Sequence, residues 1–157
     1  MKTTDICDEY AEETQIGLPG LQDFGGRISF HGPITTLLLN DDNALVRRTF
    51  GEAGNGRVLV IDNGGSMRCA MVGDQLAALA AQNGWAGIVI NGCIRDRAEL
   101  AQIDIGIKAL AAMPRRSAKH GAGERDRWLR FAGLIFVPGH YLYADADGIV
   151  LATRAFE

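Results

Sequence analysis

The sequence predicts a mixed α/β fold in a single domain over residues 1–157. Three observations carry this. Apolar runs of strand length recur along the chain, among them Val58–Ile61, Gly87–Ile90 and Leu134–Val137. One segment breaks that habit: from Asp74 to about Asn83 it sets Leu76, Leu79 and Ala80 on one face at helical spacing. Finally, 20 glycines stand at nearly every junction, the punctuation of many short elements joined by tight turns.

Taken in order, Thr3 or Thr4 is placed to cap a short helix running to about Glu12, with Asp5 and Glu9 favourable near its positive end. Arg27–His31 and Ile34–Asn40 read as two strands separated by a Gly32-Pro33 turn. Asp42–Phe50 reads as a short helix. Arg57–Asp62 is a buried-strand pattern, Asn63-Gly64-Gly65 turns the chain, and Arg68–Val72 is a further strand. The helix from Asp74 follows, with Gly84 just past its end as a left-handed stop. Ala86–Asn91 is a buried strand, so Arg68–Asn91 forms a βαβ-like centre. Arg97–Gln102 reads as a short helix, then Ile107–Met113, Phe131–Val137, Tyr141–Ala144 and Ile149–Thr153 as strands. Asp145–Gly148 (D-A-D-G) is the turn of a closing hairpin rather than a calcium loop, which would need further ligands and a distal Glu.

Composition removes several classes of function. Hydrophobic residues make up 47% and charged residues 22%, as in globular domains. No apolar run approaches the ~20 residues of a membrane helix, and the acids at Asp5, Asp8 and Glu9 do not suit a signal peptide. The three scattered cysteines, Cys7, Cys69 and Cys93, suggest reduced thiols and a cytoplasmic protein. A net charge of −3 argues against a globally basic nucleic-acid binder. Residues 108–130 are nevertheless basic, with seven Lys and Arg against two acids. The expectation there is a solvated segment with local ion pairs; a face toward RNA, an acidic partner or another subunit is the alternative. His31, His120 and His140 show no zinc-ligand spacing, and Cys93 is expected to be a buried space-filler.

Two loops carry candidate chemistry. Gly73-Asp74-Gln75-Leu76 opens the central helix, where unpaired N–H groups and the helix dipole favour a carboxylate or phosphate and Gly73 admits close approach. The competing reading is that Asp74 only caps the helix, worth about 1 kcal/mol. The second loop is Gly92-Cys93-Ile94-Arg95-Asp96. Here Arg95 offers a fork for a carboxylate and Asp96 an oxygen ligand for a hard cation. Its competing reading is a solvated loop with neighbourly ion pairs. In an open α/β sheet, ligands bind where such loops converge at strand ends.

Asp74 and Arg95-Asp96 form a D-x20-R-D arrangement. Together with Thr4–Asp8, Phe24–Arg27, Gly56–Asp62, Gly73–Ala77, Gly84–Gly87, Gly121–Glu124 and Tyr143–Asp145, it resembles the family that contains the class II 4-hydroxy-4-methyl-2-oxoglutarate (HMG) aldolases and the regulator of ribonuclease E activity, type A. The resemblance implies a layered β/β/α domain like the phosphohistidine swivelling domain, assembled as a homotrimer. It implies that the amides of Gly73, Asp74, Gln75 and Leu76 cradle the carboxylate of a 2-oxo acid and that Arg95 binds the same substrate. Asp96 would ligate a divalent cation, Mg2+ or Mn2+, and Asp74 would orient water beside it. The implied reaction is metal-dependent C–C cleavage through a pyruvate enolate: retro-aldol cleavage of HMG, decarboxylation of oxaloacetate, or both. Neither loop offers a Lys for a Schiff base, in keeping with the metal route. The alternative implied by the same resemblance is a non-catalytic regulator that binds ribonuclease E or its helicase partner. Two departures favour decarboxylation and the regulator-like form. Pro138-Gly139-His140 replaces a P-G-D, and the chain ends at Phe156-Glu157 without the C-terminal extension that supplies an acid to a neighbouring site in larger aldolases; Glu157 is the one candidate substitute.

Overall fold

The computed structural model describes residues 1–156; the candidate acid Glu157 lies outside the described residues. In chain order the elements are α1 (Thr3–Glu9), β1 (Thr14–Ile16), β2 (Gln22–Asp23), β3 (Phe30–Leu38), α2 (Ala44–Phe50), β4 (Val58–Val72), α3 (Asp74–Gln82), β5 (Gly87–Ile94) and α4 (Arg97–Leu100). They continue with β6 (Gly106–Ala109), β7 (Ala111–Ala112), β8 (Glu124–Arg125), β9 (Leu129–Phe131), β10 (Leu134–Phe136), β11 (Tyr141–Asp145) and β12 (Gly148–Ala152). The main sheet runs β1-β12-β11-β3-β4-β5-β6-β2, with β7 on the end of β5 and β8 on β3; β9 and β10 form a separate hairpin. None of the helices among the described residues is long and apolar enough to cross a membrane.

The apolar runs are continuous because both faces of the central strands are covered. Leu59, Ile61, Ile88, Ile90 and Ile107 face the helices, packing with Val46 and Phe50 of α2, Leu76, Ala77 and Ala80 of α3, and Leu100 of α4. Their neighbours Val58, Val60 and Val89 face the other way, against Leu129, Leu134, Phe136, Leu142 and Leu151 from β9–β12. The result is the expected three layers, sheet on sheet on helix. α3 links the parallel pair β4–β5 as the sequence predicts, and Gly84 follows it at φ 82°.

Several boundaries differ from the sequence expectation, and each has a physical cause. Gly32-Pro33 is no turn: β3 runs through it, pairing antiparallel with β11 over Phe30–Pro33 and parallel with β4 over Ile34–Leu38. The strand thereby passes from one layer to the other, and glycine is required because a Cβ at 32 would lie 2.0 Å from the Gly56 carbonyl oxygen. Asn63-Gly64-Gly65 does not end a strand either. Gly64 and Gly65 take φ 63° and 73°, and β4 bulges there yet keeps pairing with β5 as far as Val72 and Ile94. Gly92-Cys93-Ile94 therefore belongs to strand β5, and Cys93 is fully buried as expected. Phe131–Val137 is a hairpin with Ala132-Gly133 at its tip, and Ile107–Met113 is broken at Leu110 into β6 and β7. Thr3 is not a helix cap. Its amide and hydroxyl bind the Asp145 carboxylate at 2.8 and 2.7 Å, and α1 stops at Glu9 before a short 3-10 turn over Ala11–Glu13. The Asp145–Gly148 hairpin stands.

The ring of Phe30 lies against two paired glycines, Gly87 and Gly106, whose missing Cβ atoms would fall 2.2 and 2.0 Å from it. It closes the bend of β3 over β5 and β6. Phe30→Ala is expected to lower stability by about 3–5 kcal/mol, read as a fall in the urea midpoint without a change of slope.

Candidate active site

Parallel pairing of β4 with β5 ends both strands side by side. The Arg95 N–H donates to the Val72 carbonyl at 3.0 Å, locking the start of the second loop to the end of β4. Asp96 then takes a left-handed backbone (φ 61°, ψ 44°), a conformation Asp tolerates better than most residues. This turns its carboxylate back onto the first turn of α3, where Asp96 Oδ2 accepts the Asp74 N–H at 2.9 Å.

Gly73 is the N-cap residue of α3, in extended conformation and without a side chain to cap it. Asp74 is thus the first helical residue rather than the cap, and the anion serving the helix terminus comes from Asp96. A Cβ on Gly73 would sit 2.6 Å from Asp96 Oδ2 and 3.3–3.4 Å from Cγ and Nε of Arg95. The two loops meet because position 73 is empty. A hydrogen bond between the Asp74 and Asp96 carboxyls, reinforced by partial burial and the nearby negative charge of Asp96, raises the Asp74 carboxyl above its usual range.

Gly73, Asp74, Gln75, Leu76, Arg95 and Asp96 all line one cleft of about 390 Å³. Its other wall was not legible from the two loops. Asn43 and Arg47 come from α2 and its start, and Arg116, Ser117 and Lys119 from the basic segment. That segment splits in two. Arg125 pairs with Glu52 and Arg127 with Glu124, both at 2.7 Å, while Lys108 is buried against Asp23 at 3.0 Å, all as local ion pairs. Arg116 and Lys119 depart from the solvated-segment expectation by facing the cleft. Trp128 is 65% exposed and belongs to no core. The basic excess of residues 108–130 was the available signal for Arg116 and Lys119; nothing in the sequence points to Arg47.

Asp42 holds this second wall in place. Its buried carboxylate accepts N–H groups from Ala44 at 3.0 Å, His120 at 2.9 Å and Ala122 at 3.2 Å. Buried Asn43 donates to the Met71 carbonyl at 3.0 Å and accepts from Lys119 Nζ at 3.1 Å. The loop carrying Lys119 is therefore bolted to the start of α2 and to the end of β4.

The metal question turns on donor chemistry. Asp74 and Asp96 present carboxylate oxygens on the lining of one open polar cleft. This suits Mg2+ or Mn2+, which take one or two carboxylates and complete their shell with water and substrate oxygens. Among the described residues no group of three His, Cys, Asp or Glu gathers to form a more enclosed cage.

A sheet with helices on one face and strands on the other, with its cleft at the ends of two parallel strands, defines an α/β protein of the aldolase and ribonuclease-regulator type. The sequence pattern of the RraA-like family (Aldolase/RraA) matches residues 3–151, and the chain belongs to that family. A protein of Alkalilimnicola ehrlichii named "Putative 4-hydroxy-4-methyl-2-oxoglutarate aldolase" is 57% identical, covering 98% of this chain and 95% of its own. The solved structure of the RNA-processing inhibitor RraA from Thermus thermophilis is 44% identical with a TM-score of 0.96, covering 100% of this chain and 95% of that one. A Geobacillus kaustophilus structure described as an S-adenosylmethionine:2-dimethylmenaquinone methyltransferase is 45% identical with a TM-score of 0.97, covering 99% and 97%.

Burial opposes ionisation of Asp42, but the amides of Ala44, Ala122, His120 and Gly121 outweigh it and hold the carboxyl below its usual range. A depressed carboxyl stabilises the fold above its unfolded pKa, about 3.9, and loses that contribution as pH falls through the folded value. Asp42→Asn is expected to cost about 1–3 kcal/mol at neutral pH. In urea titrations the gap to the parent protein should narrow below about pH 4; a gap constant down to acid pH would show that charge on Asp42 plays no part.

Proposed function

We propose that the protein is a divalent-metal-dependent C–C lyase acting on 2-oxo acids through a pyruvate enolate. The observation that carries this reading is the convergence of the α3 N-terminus, Arg95 and Asp96 on one cleft. The relative named as an HMG aldolase supports the substrate class, with HMG cleavage and oxaloacetate decarboxylation as the two reactions to separate.

In this reading the first turn of α3, from Gly73 to Leu76, binds the substrate carboxylate through the amides that Asp96 leaves unoccupied, and the helix dipole adds to the attraction. Asp96, with Asp74 beside it, holds Mg2+ or Mn2+. When bound, such a cation acts as a Lewis acid toward the oxygen on which enolate charge develops. Arg95 brings a second positive group to that oxygen and to the carboxylate. In retro-aldol cleavage the 4-hydroxyl proton leaves to water in the cleft, oriented by the Asp74 carboxyl. The C3–C4 bond breaks, its electron pair enters the enolate, and protonation at C3 yields pyruvate. Decarboxylation of oxaloacetate leaves the same enolate and needs no hydroxyl base.

Lys119 also reaches the cleft, but it is exposed and donates to Asn43 Oδ1, the behaviour of an ammonium rather than of a desolvated Schiff-base amine. Borohydride added with pyruvate should therefore leave no adduct on it. We further propose that the chain acts as a cytoplasmic homotrimer. A second reading, a regulator that docks onto ribonuclease E or its helicase partner, is favoured by the likeness to the Thermus RNA-processing inhibitor. Its test is capture of either purified partner at micromolar concentration, and an occupied cleft does not exclude it.

Pyruvate release from HMG and from oxaloacetate is expected to depend on added Mg2+ or Mn2+ and to stop with chelator, after subtraction of the metal's own decarboxylation. Arg95→Ala and Asp96→Ala should each lower kcat/KM by about 100-fold or more, as for loss of a group that meets developing charge. Gly73→Ala is the more pointed variant. Its extended backbone suits alanine, so stability should fall by no more than about 1 kcal/mol, while the methyl displaces Asp96 and suppresses turnover. Full activity in Asp96→Ala would remove the ligand role.

A further inference from the structure

We infer that the free edge of β9 is a self-pairing surface, on which two copies of the chain join β9 to β9 in antiparallel register about a two-fold axis at Leu129. The inference rests on neither the lyase reading nor the homotrimer, and no residue of this edge lines the cleft.

The turn of the hairpin decides which edge is free. Ala132 and Gly133 take φ 53° and 70°, the paired left-handed residues of a two-residue type I′ turn. Such a turn makes Phe131 and Leu134 a hydrogen-bonded pair. Arg130 and Ile135 then face each other without bonds, and Leu129 and Phe136 are bonded again. The backbone groups of Arg130 and Ile135 therefore point out of the hairpin, to opposite sides. On the β10 side, Gln15 takes both groups of Ile135: Nε2 donates to the carbonyl at 3.1 Å, and Oε1 accepts the N–H at 2.8 Å. The β9 side has no such cover. Among the described residues, the backbone N–H and C=O of Arg130, and those of Trp128 just before the strand, have no partner. The approach to this edge is fixed by Thr36, whose carbonyl accepts the Asp126 N–H at 3.1 Å and whose hydroxyl donates to the Arg127 carbonyl at 2.6 Å.

The side chains add self-complementarity. Exposure alternates along the edge: Leu129 is buried and Phe131 half-buried, while Trp128 and Arg130 stand together on the outer face. Among the described residues Arg130 forms no ion pair and no cation lies over Trp128. A lone charge on an edge strand ordinarily prevents pairing. In antiparallel pairing centred on Leu129 it does the opposite, because Trp128 lies across from the partner's Arg130 and Arg130 across from the partner's Trp128. These are the hydrogen-bonded pairs, being the positions whose backbone groups point outward, with Cα atoms about 5.5 Å apart. Each guanidinium then lies on the indole of the other copy. The chain makes the same contact internally, where Arg57 lies over the Trp85 ring at 4.5 Å.

A foreign strand would meet the same backbone groups. Only this sequence brings a cation to each ring and a ring to each cation, as an isologous two-fold contact requires. The product is a four-stranded ribbon, β10-β9 of one copy continued by β9-β10 of the other. So short a contact falls below the roughly 800 Å² per partner of a standard interface, so the association is weak and concentration-dependent.

The test is sedimentation velocity of the full chain from micromolar to millimolar concentration. The expected result is a dilute species, whatever its own size, that gives way on concentration to one of twice its mass. Trp128→Ala and Arg130→Ala each remove both cross-strand stacks and should weaken that step by about tenfold or more. Both side chains are exposed, so the urea midpoints of the dilute variants should match the parent's. Mixing the two variants isolates the contact. A mixed pair keeps one stack, the Trp128 of the Arg130→Ala chain on the Arg130 of the Trp128→Ala chain. The mixture should therefore associate several-fold more tightly than either variant alone. No mass doubling in the parent, doubling unchanged in the variants, or no recovery in the mixture would each overturn the pairing.

Discussion

The site hangs on one short contact, the Asp96 carboxylate resting on the first N–H of α3 across the space that a side chain at position 73 would fill. Each part of that contact has a separate origin. The parallel β4–β5 pair brings the two strand ends level, the left-handed turn at Asp96 reverses the carboxylate, and Gly73 leaves the gap. The helix dipole then stabilises the anion it receives. Arg95 is carried along, because its neighbour is fixed and its own N–H is tied to Val72. Under the proposed function, this same carboxylate is the ligand of the cation. The remaining amides of the turn stay open to a ligand.

The opposite wall is built by different means. No regular element carries Lys119; the loop is ordered by side chains of Asp42 and Asn43, which satisfy backbone groups that would otherwise lack partners. Such an arrangement is economical in a small protein, since a single buried carboxylate with three N–H donors substitutes for a strand. It also couples the acid stability of the fold to the shape of the cleft. Nearby Asp41 follows the same logic: burial opposes its charge, but Ser66, Asn63, Cys69 and Arg68 together bring its pKa down to about 2. The ends of β3 and β4 are thus stitched by ionised carboxyls that persist well into the acid range.

What the sequence made legible was local. Continuous apolar runs announced doubly covered strands, the spacing of Leu76, Leu79 and Ala80 announced α3, and Gly84 marked its end. The likeness of Gly73–Leu76 and Arg95-Asp96 to family motifs pointed to the loops that the fold brings together. What was not legible depended on distant partners. Gly32 and Gly64-Gly65 look like turn residues, yet one permits a close crossing under Gly56 and the others a bulge within a paired strand. Thr3 looks like a cap, but Asp145, 142 residues away, claims both its polar groups. Arg47 sits on a helix whose pattern says only which face is buried, and Lys119 sits in a basic segment of which Lys108, Arg125 and Arg127 find acids. Their common destination is a property of tertiary packing, which periodicity does not encode.

Three relatives of 44–57% identity carry three different names, an aldolase, an RNA-processing inhibitor and a methyltransferase, on backbones this similar. Fold alone cannot choose among them, and the site must. A methyl-donor site would need a surface for a nucleoside, whereas this cleft is lined by four cations, two carboxyls and no aromatic ring. A purely protein-binding role makes no demand for a carboxylate laid on a helix terminus, nor for unneutralised cations fixed around a concave space. Both features have a use if the ligand is a small polyanion that reacts beside a hard cation. Docking of a protein partner would draw on surface outside the cleft, where exposed Trp128 lies. The two activities therefore make separate physical claims on the chain, and the cleft speaks for only one of them.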